Sequence, residues 1–152
     1  MAHKTVAVLL AIGLTMAACS ENKEEKKAEA MLEKAKIELQ DCQYDKALLT
    51  IDSMRKACPE AIDARKEGLR LYQEVALAQA QSDLARTDSM LQAAKRDYEK
   101  MRSEVEAAKR ELRATPDQLR SVTLMKMRTD SLQVRFDVQC AKIKYIHKKQ
   151  RE

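Results

Sequence analysis

Cys140 and His147 are the side chains in this sequence that come nearest to a covalent site, because a thiolate is a nucleophile and an imidazole a general base. On one helix they would stand about 10 Å apart, whereas a nucleophile and its base need about 3 Å. The same pair offers two metal ligands where zinc takes three or four. Gly68 is the one glycine after residue 18, so no glycine-rich loop holds a phosphate. We expect no catalytic residue, no metal site, no cofactor and no enzymatic activity.

The first 19 residues have the pattern of an export signal. Lys4 precedes an apolar run from Val6 to Leu14, which is too short to span a bilayer, and small residues then lead to Cys19. The sequence Met-Ala-Ala-Cys at residues 16–19 resembles the lipobox of bacterial lipoproteins, although Met16 stands where leucine is usual. The resemblance implies that residues 1–18 are a signal peptide and that Cys19 is lipid-modified.

A lipoprotein of this kind would be held at a membrane by acyl chains and not by a transmembrane helix. Ser20 and the acidic residues after it resemble signals that send Bacteroidota lipoproteins to the outer membrane or the cell surface. Residues 19–27 are polar and read as a tether that merges into a first helix. We therefore expect a lipid-anchored protein of the outer membrane that faces the periplasm or the outside.

Three cysteines remain if Cys19 is acylated, and an odd number leaves at least one thiol unpaired within the chain. Cys42 and Cys58 flank a predicted helix and would lie about 24 Å apart, which is beyond disulfide reach. We predict no disulfide between them.

The composition predicts an all-α protein. Charged residues make up 35% and aromatic residues 3% of a chain that contains only 2 Gly and 2 Pro. Sandwiches, barrels and nucleotide-binding α/β folds need more turn residues, whereas abundant Ala, Glu, Lys, Leu, Arg and Gln favour long helices.

Residues 28–58 are predicted to form a helical hairpin. Apolar residues recur at steps of three and four from about Glu24 to Asp41, and again from about Tyr44 to Ala57. Tyr44, Asp45 and Ala47, followed by Pro59, resemble the second helix of a tetratricopeptide repeat. This resemblance covers one repeat of about 30 residues, whereas a solenoid needs about three, so it implies one repeat-like hairpin and no peptide-binding superhelix.

Residues 59–152 are predicted to form a long antiparallel helical hairpin. Pro59 is expected in the first turn of a third helix that extends from Glu60 to about Arg113, with possible bends at Gly68 and at residues 82–89. Its second half carries four heptads of a coiled-coil seam. The seam residues are Leu84, Thr87, Leu91, Ala94, Tyr98, Met101, Val105, Ala108 and Leu112.

A capping box at Thr115, Pro116 and Gln118 predicts the start of a fourth helix, after a turn short enough to make it antiparallel to the third. Residues 131–140 also alternate like a strand, but no other segment offers a partner strand, so we interpret them as helical. Val134 and Val138 are then expected on the flank of a wide apolar face. That face comprises Val122, Met125, Thr129, Leu132, Phe136, Gln139 or Cys140, Ile143 and Ile146.

Positive charge is concentrated in the predicted fourth helix. From residue 116 to 152, nine Lys or Arg oppose four Asp or Glu, whereas residues 19–115 are nearly neutral. Cations complement the dipole at a helix C-terminus, but the same patch suits an anionic partner. Nucleic acid does not fit an exported protein, and Tyr145 alone is too few aromatics for base stacking. The candidate patch comprises Lys142, Lys144, Lys148, Lys149 and Arg151.

These patterns favour a non-enzymatic interaction or scaffold module of the bacterial envelope, with a membrane contact through lipid and an envelope protein as partner. The alternative is binding of an anionic envelope polymer or membrane surface by the basic patch. The heptads permit a monomer, in which the third and fourth helices pack within one chain, or a homodimer that packs them between copies. The short turn at Thr115 favours the first arrangement.

Overall fold

The computed structural model describes residues 23–152, and this part of the chain forms four helices and no strand. Helix α1 covers residues 23–40, α2 Tyr44–Ala57, α3 Ile62–Arg110 and α4 Pro116–Lys149. The prediction of an all-α fold is confirmed, and residues 131–140 are helical. The chain divides into two compact units, whose described parts are residues 23–78 and 79–152. The predicted signal peptide and Cys19 lie outside the described residues.

Helix α1 begins within the segment predicted as a tether, because residues 23–27 are helical. Glu24 accepts a hydrogen bond from the backbone N–H of Glu60 at 3.2 Å, and Glu25 accepts one from Ala64 at 2.8 Å. The first N–H groups of a helix have no partner inside it and attract negative charge. Glu25 thus caps the start of α3, and Glu24 holds the turn that precedes it.

The first unit packs α1, α2 and the start of α3 around one core. Small residues allow close approach of the helices, and Glu38 on α1 accepts a hydrogen bond from Thr50 on α2 at 2.7 Å. These contacts form the predicted helical hairpin, to which α3 adds a third helix. The buried core residues are Ala28, Leu32, Ala35, Ala47, Ile51, Met54, Cys58, Ala61, Ala64, Leu71 and Val75.

Gly68 lies inside α3 where α1 and α2 approach it closely. A Cβ atom at this position would stand 2.5 Å from Cε of Met54 and 3.4 Å from Cδ2 of Leu32. The helix continues without a break through Gly68 and through residues 82–89, as predicted. The glycine makes room for neighbouring side chains.

Pro59 does not open α3 as predicted. It lies in the turn before the helix, which starts at Ile62, and its carbonyl accepts a hydrogen bond from Nη1 of Arg65 at 2.8 Å. The preceding Cys58 is completely buried in the core of the first unit. Burial of Cys58 and the hydrogen bonds to Glu24 and Glu25 of α1 stabilise this turn before α3. The local sequence does not reveal these contacts.

The second unit is an antiparallel pair formed by α4 and residues 79–110 of α3. Lys95 on α3 donates a hydrogen bond to Oε1 of Gln133 on α4 at 3.0 Å, and Leu91 and Ala94 share a core with Leu132. Packing of these helices within one chain is confirmed. All predicted seam positions from Leu84 to Ala108 and from Val122 to Ile146 are buried or half-buried.

Leu112 is not part of the seam, because α3 ends at Arg110 and leaves this side chain 95% exposed. Its φ of 53° is left-handed. The N–H groups of Leu112 and Arg113 donate to the carbonyls of Lys109 and Ala108, which is the Schellman pattern of a helix end. The predicted capping box then starts α4, since Thr115 and Gln118 exchange both hydrogen bonds.

Val134 and Val138 are not on the flank of the buried face, as the sequence suggested. They are 61% and 57% exposed. At about 100° per residue, Val134 points nearly opposite to Leu132, which is buried. Helix α4 therefore has a second apolar face, turned away from the seam with α3.

Candidate functional site at the C-terminal end of helix α4

The five predicted cations all lie exposed on the last turns of α4 or just after it. Helical periodicity divides them into two groups. Lys142 and Lys149 lie seven residues apart, on the side of the helix that carries Tyr145. Lys144, Lys148 and Arg151 follow one another at steps of four and three and lie on another side. The positive charge thus surrounds the end of the helix and is not confined to one face.

Lys149 and Arg151 have local roles at the helix end. Nζ of Lys149 lies 2.5 Å from Oε2 of Glu152 and 6.0 Å from the centre of the Tyr145 ring. The hydrogen bond and the negative charge of Glu152 raise the pKa of Lys149 above its ordinary value. Nε of Arg151 donates to the carbonyl of His147 at 3.3 Å and so satisfies one of the last carbonyls of α4.

Lys142, Lys144 and Lys148 differ from these two cations. Within the described residues, none of the three forms an ion pair or a side-chain hydrogen bond, and all are exposed. An exposed cation without a neighbouring carboxylate keeps its full attraction for an external anion. These three lysines are the part of the predicted patch that is free to bind a partner.

Cys140 and His147 are not brought together by the fold. They belong to the same helix, with the thiol half-buried in the seam and the imidazole exposed, where its Nδ1 lies 3.2 Å from Oε1 of Gln150. The described residues contain no group of three or more His, Cys, Asp or Glu placed to hold a metal ion. Neither side chain is part of a wider constellation in residues 23–152.

The other cysteines have different environments. Cys42 is exposed at the end of α1, Cys58 is buried, and both are free thiols, as is Cys140. Cys19, the predicted lipidation site, lies outside the described residues, so its modification stays a prediction.

Two surface properties of residues 23–152 bear on partners. None of their helices combines the length and apolar character that crossing a membrane requires. A shallow depression on α3 is lined by Ile62, Arg65, Lys66 and Leu69, all from two turns of one helix. A hollow of this kind does not enclose a small molecule, whereas ligand sites do.

Sequence reasoning missed the outer face of α4, which we define as the side opposite the seam with α3. The signal is present in the sequence, because apolar residues recur there at alternating steps of three and four with one interruption at Ser131, but the prediction gives α4 a single apolar face. The large exposed side chains on this face are Leu124, Met127, Val134, Val138 and Tyr145.

Comparison of the chain with protein-family models, with curated proteins and with solved structures finds no match.

Proposed function

We propose that this protein is a lipid-anchored, non-enzymatic interaction module of the bacterial envelope, located at the outer membrane. The lipobox-like residues 16–19 support the anchor. The observation that carries the interaction role is the outer face of α4, where a helix already paired with α3 exposes a second set of large apolar side chains. Such contiguous exposed apolar surface on a folded protein is typical of a protein contact.

The anchor is tested by replacing Cys19 with serine in cells that are fed a labelled fatty acid. We expect the original chain to carry the label and fractionate with membranes, and the variant to lose both properties. Cys42→Ser is the matched control, because this exposed cysteine lies outside the lipobox and its loss leaves labelling unchanged. A native chain that never takes up label would overturn the anchor.

The interaction role is tested by photo-crosslinking in cells from a reactive amino acid placed at Met127. This side chain is 61% exposed on the outer face of α4. We expect one defined adduct from Met127 and none from Ser103, an exposed position on α3. The same diffuse background from both positions would contradict an interaction role for this face.

A second candidate function is binding of an anionic envelope polymer or membrane surface by the basic end of α4. It is favoured by Lys142, Lys144 and Lys148, which form no ion pair within the described residues. Attraction between exposed charges weakens with ionic strength, because the Debye length shortens from about 10 Å at 0.1 M to about 3 Å at 1 M salt.

The test uses a chain that starts at Ser20, so that no acyl group binds lipid, and vesicles with and without phosphatidylglycerol. Replacing the three lysines with glutamate is expected to abolish binding to the anionic vesicles. The control reverses three exposed cations of α3, Arg96, Lys100 and Arg110, with the same change in net charge. If both triple variants lose binding equally, total charge and not the end of α4 is responsible.

A further inference from the structure

The outer face of α4 has the heptad pattern of a coiled-coil seam. Core positions start at Leu124 and follow at alternating steps of three and four residues for three heptads. This spacing keeps one stripe of a helix in contact with a partner helix. The first seam of α4, which packs against α3, runs on the other side of the same helix. The positions of the second seam are Leu124, Met127, Ser131, Val134, Val138, Ala141 and Tyr145.

Every residue of this second seam is exposed. Five of the twelve large hydrophobic side chains that are exposed in the described residues belong to it. Burial of apolar surface stabilises association by roughly 25 cal/mol per Å². A partner helix that covers the stripe would therefore gain free energy that α3 does not supply.

The charges beside the second seam identify the partner. One flank consists of the residues that directly follow Met127, Val134, Ala141 and Lys148, and all four of these residues are basic. On the other flank, Asp130 and Asp137 occupy the position before Ser131 and Val138. The basic flank comprises Arg128, Arg135, Lys142 and Lys149.

In a parallel two-stranded coiled coil, the residue just before the first core position of a heptad (position g) faces a residue on the partner helix that lies five places later in the sequence (position e). Ser131 and Val138 are such first core positions. Asp130 would then face Arg135 of a second copy, and Asp137 would face Lys142 of that copy, each pair twice by symmetry. Asp130, Arg135 and Lys142 form no ion pair within residues 23–152. The sequence thus carries both halves of the charge pattern that a parallel homodimer needs.

The opposite orientation does not fit these charges. In an antiparallel pair, equivalent flanks meet, so the four basic positions of one copy would face the same four positions of the other. Like charges in such positions oppose association. The parallel seam ends after Tyr145. The next core position is Lys148, and Lys144 would face Lys149 of the second copy, so like charges oppose further pairing there.

We propose that two copies of this chain associate in parallel through the outer face of α4, from Leu124 to Tyr145. The proposal rests on the interaction role given above and names its partner, but it does not depend on the lipid anchor. With three heptads and a serine at a central core position, the seam predicts a reversible dimer that is favoured when copies are concentrated on one surface.

The orientation is tested by crosslinking in the full chain. In a parallel dimer, Ser131 of one copy lies beside Ser131 of the other, so Ser131→Cys should be joined by bismaleimidoethane, which alkylates two nearby thiols. Exposed Cys42 and half-buried Cys140 are first replaced with serine, while buried Cys58 is kept. Ser103→Cys on α3 is the matched control. Crosslinking at position 131 several times that at 103 is expected, and equal yields would overturn the proposal.

The charge pattern is tested with two double variants. Asp130→Arg with Asp137→Arg makes the facing positions 130, 135, 137 and 142 all basic, and Arg135→Asp with Lys142→Asp makes the same four positions all acidic. Each variant alone should lose about tenfold or more in association, measured as the protein mass in detergent by light scattering. An equal mixture of the two should form a heterodimer, because the pairs that join positions 130 and 135 and positions 137 and 142 are then all attractive. If the mixture stays monomeric, the flanking charges do not direct association.

A charge control places the same change elsewhere. Asp97→Arg with Glu104→Arg reverses two exposed carboxylates on α3, and this variant should dimerise like the original chain. A chain that is monomeric in every form but crosslinks to a different envelope protein from Met127 would overturn the homodimer and leave the proposed interaction role standing. A dimer of a chain that carries no acyl label would support this inference and overturn the anchor.

Discussion

Two residues other than glycine hold left-handed backbone at helix ends. Cys42 has a φ of 57° after α1, and Leu112 has a φ of 53° after α3. The N–H of Cys42 donates to the carbonyl of Leu39 and that of Gln43 to Glu38, which repeats the Schellman pattern seen at Leu112. Left-handed backbone costs an L-residue about 1–2 kcal/mol, and glycine is free of this cost. Neither position is glycine, so sequence reasoning placed Leu112 inside a helix.

Leu112→Gly is expected to raise the free energy of unfolding by about 1 kcal/mol, because the strain is relieved and the 95% exposed side chain contributes no burial. Urea unfolding followed by circular dichroism measures the change. Ser103→Gly, in the exposed interior of α3, is the control and should lower stability, by up to about 1 kcal/mol. A loss of stability in Leu112→Gly would show that the leucine side chain makes a stabilising contact in the folded chain.

At the scale of the helices, local signals predicted well and contacts between distant segments did not. The capping box at Thr115 and the heptads of α3 and α4 are spacings of three and four residues, so they can be read directly from the sequence. The hydrogen bonds that Glu24 accepts from Glu60 and Glu25 accepts from Ala64 join residues 36 and 39 positions apart. No local pattern encodes them, which explains why the sequence places the start of α3 too early.

Glu25→Ala is expected to lower the free energy of unfolding by about 1 kcal/mol, since it leaves the N–H of Ala64 without its acceptor at the positive end of α3. Glu29→Ala, also on α1 but exposed, is the matched control and should change stability by less than about 0.5 kcal/mol. Thermal and urea unfolding of both variants give the comparison. Equal effects from the two substitutions would assign the loss to α1 itself and not to the cap.

At the scale of the whole chain, the two units are packed differently. The first contains a cluster of eleven buried residues, from Ala28 to Val75, whereas the described cluster of the second comprises Leu91, Ala94 and Leu132. The second unit also leaves Oε1 of Gln139 buried without a hydrogen-bond partner in the described residues. A buried carbonyl without a partner costs about 1–3 kcal/mol. We therefore expect the first unit to be the more stable one.

This difference predicts unit-specific responses in amide hydrogen exchange. Met54→Ala opens a cavity in the first core and should cost about 2–5 kcal/mol, with faster exchange in α2 and in residues 62–78. Leu132→Ala should increase exchange chiefly in α4 and in residues 79–110. Mass spectrometry of peptides from both variants measures the distribution. Uniform acceleration along the chain in both cases would mean that the two units open together.

The candidate site was predictable in part. The concentration of cations near residue 150 is visible in the sequence, but their division into paired and unpaired groups depends on Glu152 and on the helical angle of each lysine. The second apolar face was hidden because Val134 and Val138 were assigned to the first one. Periodicity identified the stripe that meets α3 but did not separate it from the second stripe. The packing of Leu132 against Leu91 and Ala94 makes that separation.

The hydrogen bonds that Glu24 and Glu25 accept have a mechanical consequence. They fasten the first turn of α1 to the start of α3. A pull on the chain ahead of residue 23 is therefore shared at once between two helices and does not unwind α1 alone. If the protein is held from that side, force on its attachment reaches the core of the first unit through these two carboxylates.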